Sequence, residues 1–325
     1  MSDRKKRDID TDLMRIVLAY LVVLAHSTDK TTCVGQVINC ICRFNLPAFA
    51  MISGYYLLDG SRPGKSFLRK GILTIFVALL WSGIYYAYYA LSGDSPAVSF
   101  PVYLFTEPSH LWYLWMCASL YLITPVLTVF CCNASKKVYG YALLGMALLG
   151  SPCLILIRSG VFQPFTALMS RTKLPTEFGF IFVYLAGDYL RRYPPKLPKI
   201  VWPLLFLIGS AAAGVGMAVF FRRGWSTDLM LSCYMPSALC ASIGFFQSFR
   251  VYLAGRTVSE KLSAVIRTVA GCTMGSYLLH PMLIWNLRPI LPYGHILPLL
   301  ALTVYLAAVC ITFLLHRIPP LRKVL

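Results

Sequence analysis

Residues 13 to 26 read LMRIVLAYLVVLAH, an apolar run with Arg15 near one end and His26 at the other. The run is the middle of a longer apolar block, roughly residues 10 to 29, matching the 17 to 25 residues an α-helix needs to cross about 30 Å of hydrocarbon. It is not alone. The chain has 325 residues, 58% of them apolar and 13% charged, with a mean hydropathy of +0.68, more apolar sequence than one soluble core buries. Similar blocks recur at roughly 33 to 58, 72 to 92, 109 to 132, 139 to 157, 177 to 190, 200 to 221, 233 to 249, 268 to 287 and 296 to 316. The expected fold is therefore all-α: a polytopic integral membrane protein of about ten transmembrane helices, rather than a barrel of short alternating strands.

An even number of crossings puts both termini on one side. With the termini in the cytoplasm, 21 of the 30 basic residues fall in inner loops and seven in outer ones, the bias expected of that orientation. Because these residues are spread over every inner loop, the net charge of +18 implies no nucleic-acid partner. Asp8, Asp10, Asp12 and Arg15 break the pattern of a secretory signal, so the first block is expected to be retained. The eleven cysteines lie mostly inside apolar blocks without a Cys-x-x-Cys framework, so they read as small apolar side chains and no metal site is expected. Residues 1–325 read as a single transmembrane domain.

Ionisable groups within the bilayer cost about 2.5 to 3.5 kcal/mol each on insertion scales, so each requires a reason. Arg15 and His26 are eleven residues apart, which places them about 20° apart around a helix and about 16 Å apart along it. One polar face thus reaches across most of the membrane. Arg15 could pair with Asp12 or reach headgroups, but a second cation, Arg43, falls near the middle of the second block, where Pro47 and Gly54 are expected to loosen the backbone. His110, beside Glu107 at the start of the fourth block, and His280 in the ninth lie at depths compatible with His26. Pro281 follows His280, freeing a carbonyl and predicting a kink. His295 and His316 read as interface residues.

These residues resemble the acyltransferase-3 family of bacterial integral-membrane acyltransferases. The resemblance is carried by Asp12-x-x-Arg15, ten residues and His26; by Arg43, Pro47 and Ser53-Gly54-Tyr55; by His110-Leu-Trp-Tyr-Leu with Tyr121 and Pro125; and by Ser276-Tyr-Leu-Leu-His280-Pro281. It implies an enzyme in the bacterial plasma membrane that takes an acyl group, by default acetyl, from cytoplasmic acyl-coenzyme A to a hydroxyl of an extracytoplasmic cell-surface glycan or lipid-linked saccharide. The donor is a substrate, and no permanently bound cofactor is expected. His26 would be the general base, its reference pKa of about 6.5 leaving it largely neutral at pH 7. Arg15 and Arg43 would bind phosphate or polarise the carbonyl, and Ser53, Glu107, His110 and His280 would serve the acceptor. Where family members carry Arg-x-x-Arg before the third helix, this chain aligns Gly71 and Thr74, leaving Arg69 and Lys70 to bind the donor's phosphates. Two other readings use the same polar face: transport of a small substrate such as an amino acid, as ascribed to related domains fused to racemases, and a non-catalytic partner in envelope polysaccharide assembly.

Overall fold

The structure, a computed structural model, describes residues 8–93, 98–106, 109–159, 174–292, 296–319 and 321. Among these residues every regular element is helical: α1 (Ile9–Ser27), α2 (Cys33–Ile41), α3 (Asn45–Leu57), α4 (Gly64–Leu91), α5 (Phe100–Thr106), α6 (Trp112–Asn133), α7 (Lys136–Ser159), α8 (Leu174–Arg192), α9 (Val201–Arg222), α10 (Pro236–Leu253), α11 (Glu260–Gly271), α12 (Thr273–Leu287) and α13 (Leu297–Leu315), with 3-10 turns at Cys42–Phe44 and Ser109–Leu111. Each of the ten apolar blocks read from the sequence coincides with a helix or a pair of them. Five helical stretches among the described residues are long and apolar enough to cross a membrane, and the pair α11–α12, bent by 55°, makes a sixth. The protein is a polytopic membrane protein. The stretches outside this set include α1, which carries Asp10, Asp12 and Arg15.

The described chain divides into two compact units, one containing residues up to Tyr55 and from Lys136 on, the other Tyr56–Ser135. In the first, α1 packs against α2, α10, α11, α12 and α13. Its Ala19 and Val23 join Ile284, Leu300, Ala301, Val304 and Tyr305 in one buried cluster, while Met14 and Leu18 are fully buried. Helix α2 packs on α9, where Cys40 meets Ala213, Met217 and Met230.

Lipid tails are as apolar as leucine, so close backbone approach at small residues drives association more than hydrophobicity does. The α9–α10 crossing is built this way from both sides. A Cβ on Gly209 would stand 2.6 Å from the Ser237 carbonyl and from the Ala241 amide, and one on Gly244 would stand 2.7 Å from the Trp202 carbonyl. Gly54 meets the Tyr184 carbonyl and Gly187 the Met51 carbonyl in the same reciprocal manner. Gly54 therefore serves contact between α3 and α8, where the sequence suggested backbone loosening. The interruption of the second block is instead the 3-10 turn at Cys42–Phe44.

In the second unit α4 packs against α5 and α6. Gly71 is buried where a Cβ would stand 2.9 Å from Leu122 Cδ2 of α6. An aromatic layer joins α4 to α5, with Tyr86 edge-on to Phe100 at 5.0 Å and to Tyr103 at 5.2 Å between centroids.

Gly244→Val forces α9 and α10 apart and is expected to destabilise the detergent-solubilised protein by at least the 1 to 3 kcal/mol typical of about one misplaced group in a packed core. Gly145→Ala, whose Cβ meets nothing within 4 Å, is expected to hold or raise the melting temperature. Equal melting of the two variants would contradict the interlock.

Candidate functional site

His26 sits in the last turn of α1 and is exposed. His280, on α12, is fully buried. Their ring centroids lie 4.9 Å apart with planes inclined by 59°, so two histidines separated by more than 250 residues form one contact pair. The local sequence explains how His280 is oriented. Pro281 has no N–H to give to the carbonyl four residues back, that of Tyr277. The Nδ1 of His280 takes that carbonyl at 2.6 Å. Since a carbonyl only accepts, Nδ1 carries the proton and Nε2 is the basic nitrogen of the neutral ring. The proline predicted to free a carbonyl thus supplies the partner that sets the tautomer. Helix α12 continues through Pro281, and the sharp bend falls earlier, at Cys272 between α11 and α12.

The same end of α1 is closed by a residue that the sequence reading counted only as an outer-loop cation. Arg288 caps α12, and its guanidinium donates to the carbonyl of Ser27, next to His26. A cation there complements the negative end of the α1 dipole. Ser27 Oγ donates to the Val23 carbonyl at 2.9 Å and Thr28 Oγ1 to the Ala25 carbonyl at 2.8 Å, so the last turn is tied down. In the following loop, hydrogen bonds from Thr31 hold the Asp29 carboxyl below the usual carboxylate range, with a smaller contribution from Arg288.

At the other end of α1, Arg15 lies 3.6 Å from the fully buried Asp12. This is the i,i+3 pair that the sequence allowed as one explanation of Arg15. Beside it is a network the sequence reading did not identify: Arg250 of α10 donates to Asp10 at 2.6 Å and to Asp8 at 3.4 Å. Its other amino group donates to the Tyr55 hydroxyl at 2.5 Å, and the guanidinium lies 4.5 Å over the Tyr55 ring. One arginine thus joins α1, α3 and α10. The signal available in sequence was the acidic triplet Asp8, Asp10 and Asp12 ahead of an apolar run, which required cations from elsewhere.

Arg43 lies in the 3-10 turn, which packs on α1 and α10. Its guanidinium is hydrogen-bonded to the Cys233 thiol and is within electrostatic reach of Cys40 and Cys42. Ser53 is half-buried on α3, one residue before Gly54. In the second unit, His110 is 7% exposed and is held edge-on to the fully buried Tyr85 at 4.8 Å. Glu107 lies outside the described residues, as does His295. Arg69 and Lys70 are exposed on α4, with the Lys70 ammonium 5.8 Å from the Tyr121 ring centroid. Gly71 faces α6, so a side chain at that position would have to displace the Leu122 side chain; Thr74 turns its hydroxyl back to the Lys70 carbonyl at 2.8 Å. Among the residues whose side chains are described, no three His, Cys, Asp or Glu come together to hold a metal, and ten of the eleven cysteines are seen as free thiols.

A family model described as an acyltransferase domain matches residues 8–317, nearly the whole chain. The chain belongs to the acyltransferase-3 family, and the protein is a membrane acyltransferase. No curated protein and no solved structure matches it.

Two outcomes follow from this geometry. Arg250→Ala leaves the Asp10 carboxylate buried without its cation and is expected to cost about 3 kcal/mol, with Asp10→Leu in the same chain restoring most of the loss in a double-mutant cycle. Nitrogen NMR of the histidine rings is expected to show His280 protonated at Nδ1. In Pro281→Ala the restored backbone N–H competes for the Tyr277 carbonyl and the Nε2 tautomer gains population.

Proposed function

We propose that this acyltransferase moves an acyl group, in the default case acetyl, from cytoplasmic acyl-coenzyme A to a hydroxyl of an extracytoplasmic cell-surface glycan or lipid-linked saccharide, in a bacterial plasma membrane with both chain termini inside. The observation that carries the reading is the exposed His26 held in ring contact with a fully buried His280 whose tautomer is set by the Tyr277 carbonyl. A general base needs access to the proton it abstracts and a fixed orientation. His26 has the first by exposure. His280 acts as the positioning residue that supplies the second, being unable to move without breaking its own bond to α12.

In the proposed reaction His26 takes the proton of the acceptor hydroxyl as its oxygen attacks the thioester carbonyl. The tetrahedral oxyanion then collapses, the C–S bond breaks, and the imidazolium returns its proton to the departing thiolate of coenzyme A. The products are the O-acyl ester and free coenzyme A. Arg15 is assigned to the donor's charged part, about 16 Å along α1 from the chemistry, and Arg43 to the donor or to the carbonyl. Arg69 and Lys70 keep their proposed part in phosphate binding. Ser53, Glu107 and His110 are assigned to the acceptor side.

The test is transfer of labelled acetyl from acetyl-coenzyme A into acceptor in membranes carrying His26→Ala or His26→Gln. Loss of a general base lowers the rate by roughly 100- to 10,000-fold. His280→Ala is expected to lower kcat with little change in the KM for donor. Transfer at native rate in His26→Ala would remove His26 from the chemistry, and absence of transfer by the native protein with every donor thioester offered would favour transport.

A further inference from the structure

Helix α2 and the 3-10 turn that follows it carry three polar residues, each with a buried side-chain atom that the helix packing leaves unpaired among the described residues. Gln36, Asn39 and Arg43 follow one another at spacings of three and four, so they line a single stripe. Asn39 is 2% exposed and Gln36 is 9% exposed. Gln36 uses its amide nitrogen on the Lys30 carbonyl at 2.8 Å. Its Oε1, the Oδ1 of Asn39 and the Nε of Arg43 are each buried without a hydrogen-bond partner among the described residues. Three such atoms in a row are uncommon, because a buried polar atom left unpaired is costly to a fold. Packing does not account for them: the neighbouring face of α2, with Val37 and Ile41, is the one that meets Gly214 of α9.

The position of the stripe says what would satisfy it. Helix α2 returns along α1, against which it packs. The bond from Gln36 to Lys30 fixes its upper end near the His26 turn, and Arg43 lies about 10 Å further along, in the direction of Arg15. The stripe therefore runs beside the interval between the proposed chemistry and the proposed grip on the donor's charged part. A ligand extended along this interval must bring N–H donors to two amide oxygens and an acceptor to a guanidinium nitrogen. The pantetheine arm of coenzyme A has this composition: two amides joined by a two-carbon spacer, with N–H and C=O groups in series and the thioester at the end.

We propose that Gln36, Asn39 and Arg43 form the binding wall for the amide arm of the donor, with the Gln36 and Asn39 side-chain oxygens accepting from its amide N–H groups and Arg43 donating to an amide carbonyl. The inference rests on the reading of acyl-coenzyme A as donor and adds the residues that hold the part of it between phosphate and thioester. It also predicts opposite effects on stability and binding. Replacing Asn39 by an apolar residue of similar size removes an unpaired polar atom from the ligand-free protein, so stability holds or rises, while the donor loses a partner.

The experiment is titration of the purified full-length protein and of Asn39→Leu with coenzyme A, with pantetheine, and with adenosine 3′,5′-bisphosphate, which lacks the arm, each followed by a melting curve. Asn39→Leu is expected to weaken coenzyme A and pantetheine roughly tenfold, to leave the bisphosphate unchanged, and to melt no lower than the native chain without ligand. Should Asn39→Leu not yield folded protein, Asn39→Ala carries the same comparison. Equal affinity of native and variant for coenzyme A overturns the inference while leaving the donor reading intact. An unchanged affinity for coenzyme A with a raised KM for the saccharide acceptor also overturns it, assigning the stripe to the acceptor. No binding of coenzyme A by the folded native protein overturns the donor reading itself.

Discussion

A polar helix face in a membrane has to be covered by protein, and the arrangement around α1 answers that requirement. Asp10 and Asp12 are buried at one end of this helix and Arg15 lies beside them. Each such charge costs about 2.5 to 3.5 kcal/mol if left to lipid, several times the roughly 0.6 kcal/mol that an interhelical hydrogen bond contributes on average. Burial of the carboxylates is therefore tolerable only with cations in contact, and Arg250 reaches in from α10 to supply one. At the other end Arg288 holds the Ser27 carbonyl. With both ends fastened by arginines from outside the helix, the line from Arg15 to His26 has a defined place in the first unit, and the helices packed on it inherit their positions.

The His26–His280 pair shows how a local covalent feature becomes a functional one. Proline in a helix usually figures as a break or a kink. Here α12 runs on through Pro281, and the consequence of the missing N–H is a carbonyl available to a side chain. That carbonyl orients an imidazole, and the imidazole supports another on a different helix. Each step is a single hydrogen bond or ring contact worth little in stability. Their value is positional, since the orientation of the ring governs which nitrogen faces a reacting group.

The second unit differs in how it holds its candidate residues. His110 is fixed by an aromatic contact with Tyr85, whereas Arg69 and Lys70 project from α4. The departure from the family's paired arginines acquires a physical reason at Gly71. The α4–α6 contact is close there, a Cβ on Gly71 standing 2.9 Å from Leu122 Cδ2, and the basic residues stand one and two positions earlier, exposed.

Much of the molecule was legible in the chain because hydrophobic length is a local property: ten apolar blocks gave ten helical regions, and the eleven-residue spacing of Arg15 and His26 fixed their common face without any tertiary information. The family blocks likewise lie in the sequence as written. Periodicity could not reveal which distant side chains meet, since nothing local in Arg250 or Arg288 distinguishes them from other loop cations, and Gly54 reads equally as a flexible point or a contact point until Tyr184 is placed against it. The pairing of His26 with His280 is of the same kind. Sequence set the helices and the polar residues each carries; only packing, by deciding which buried charge finds which partner, decided which of those residues stand together.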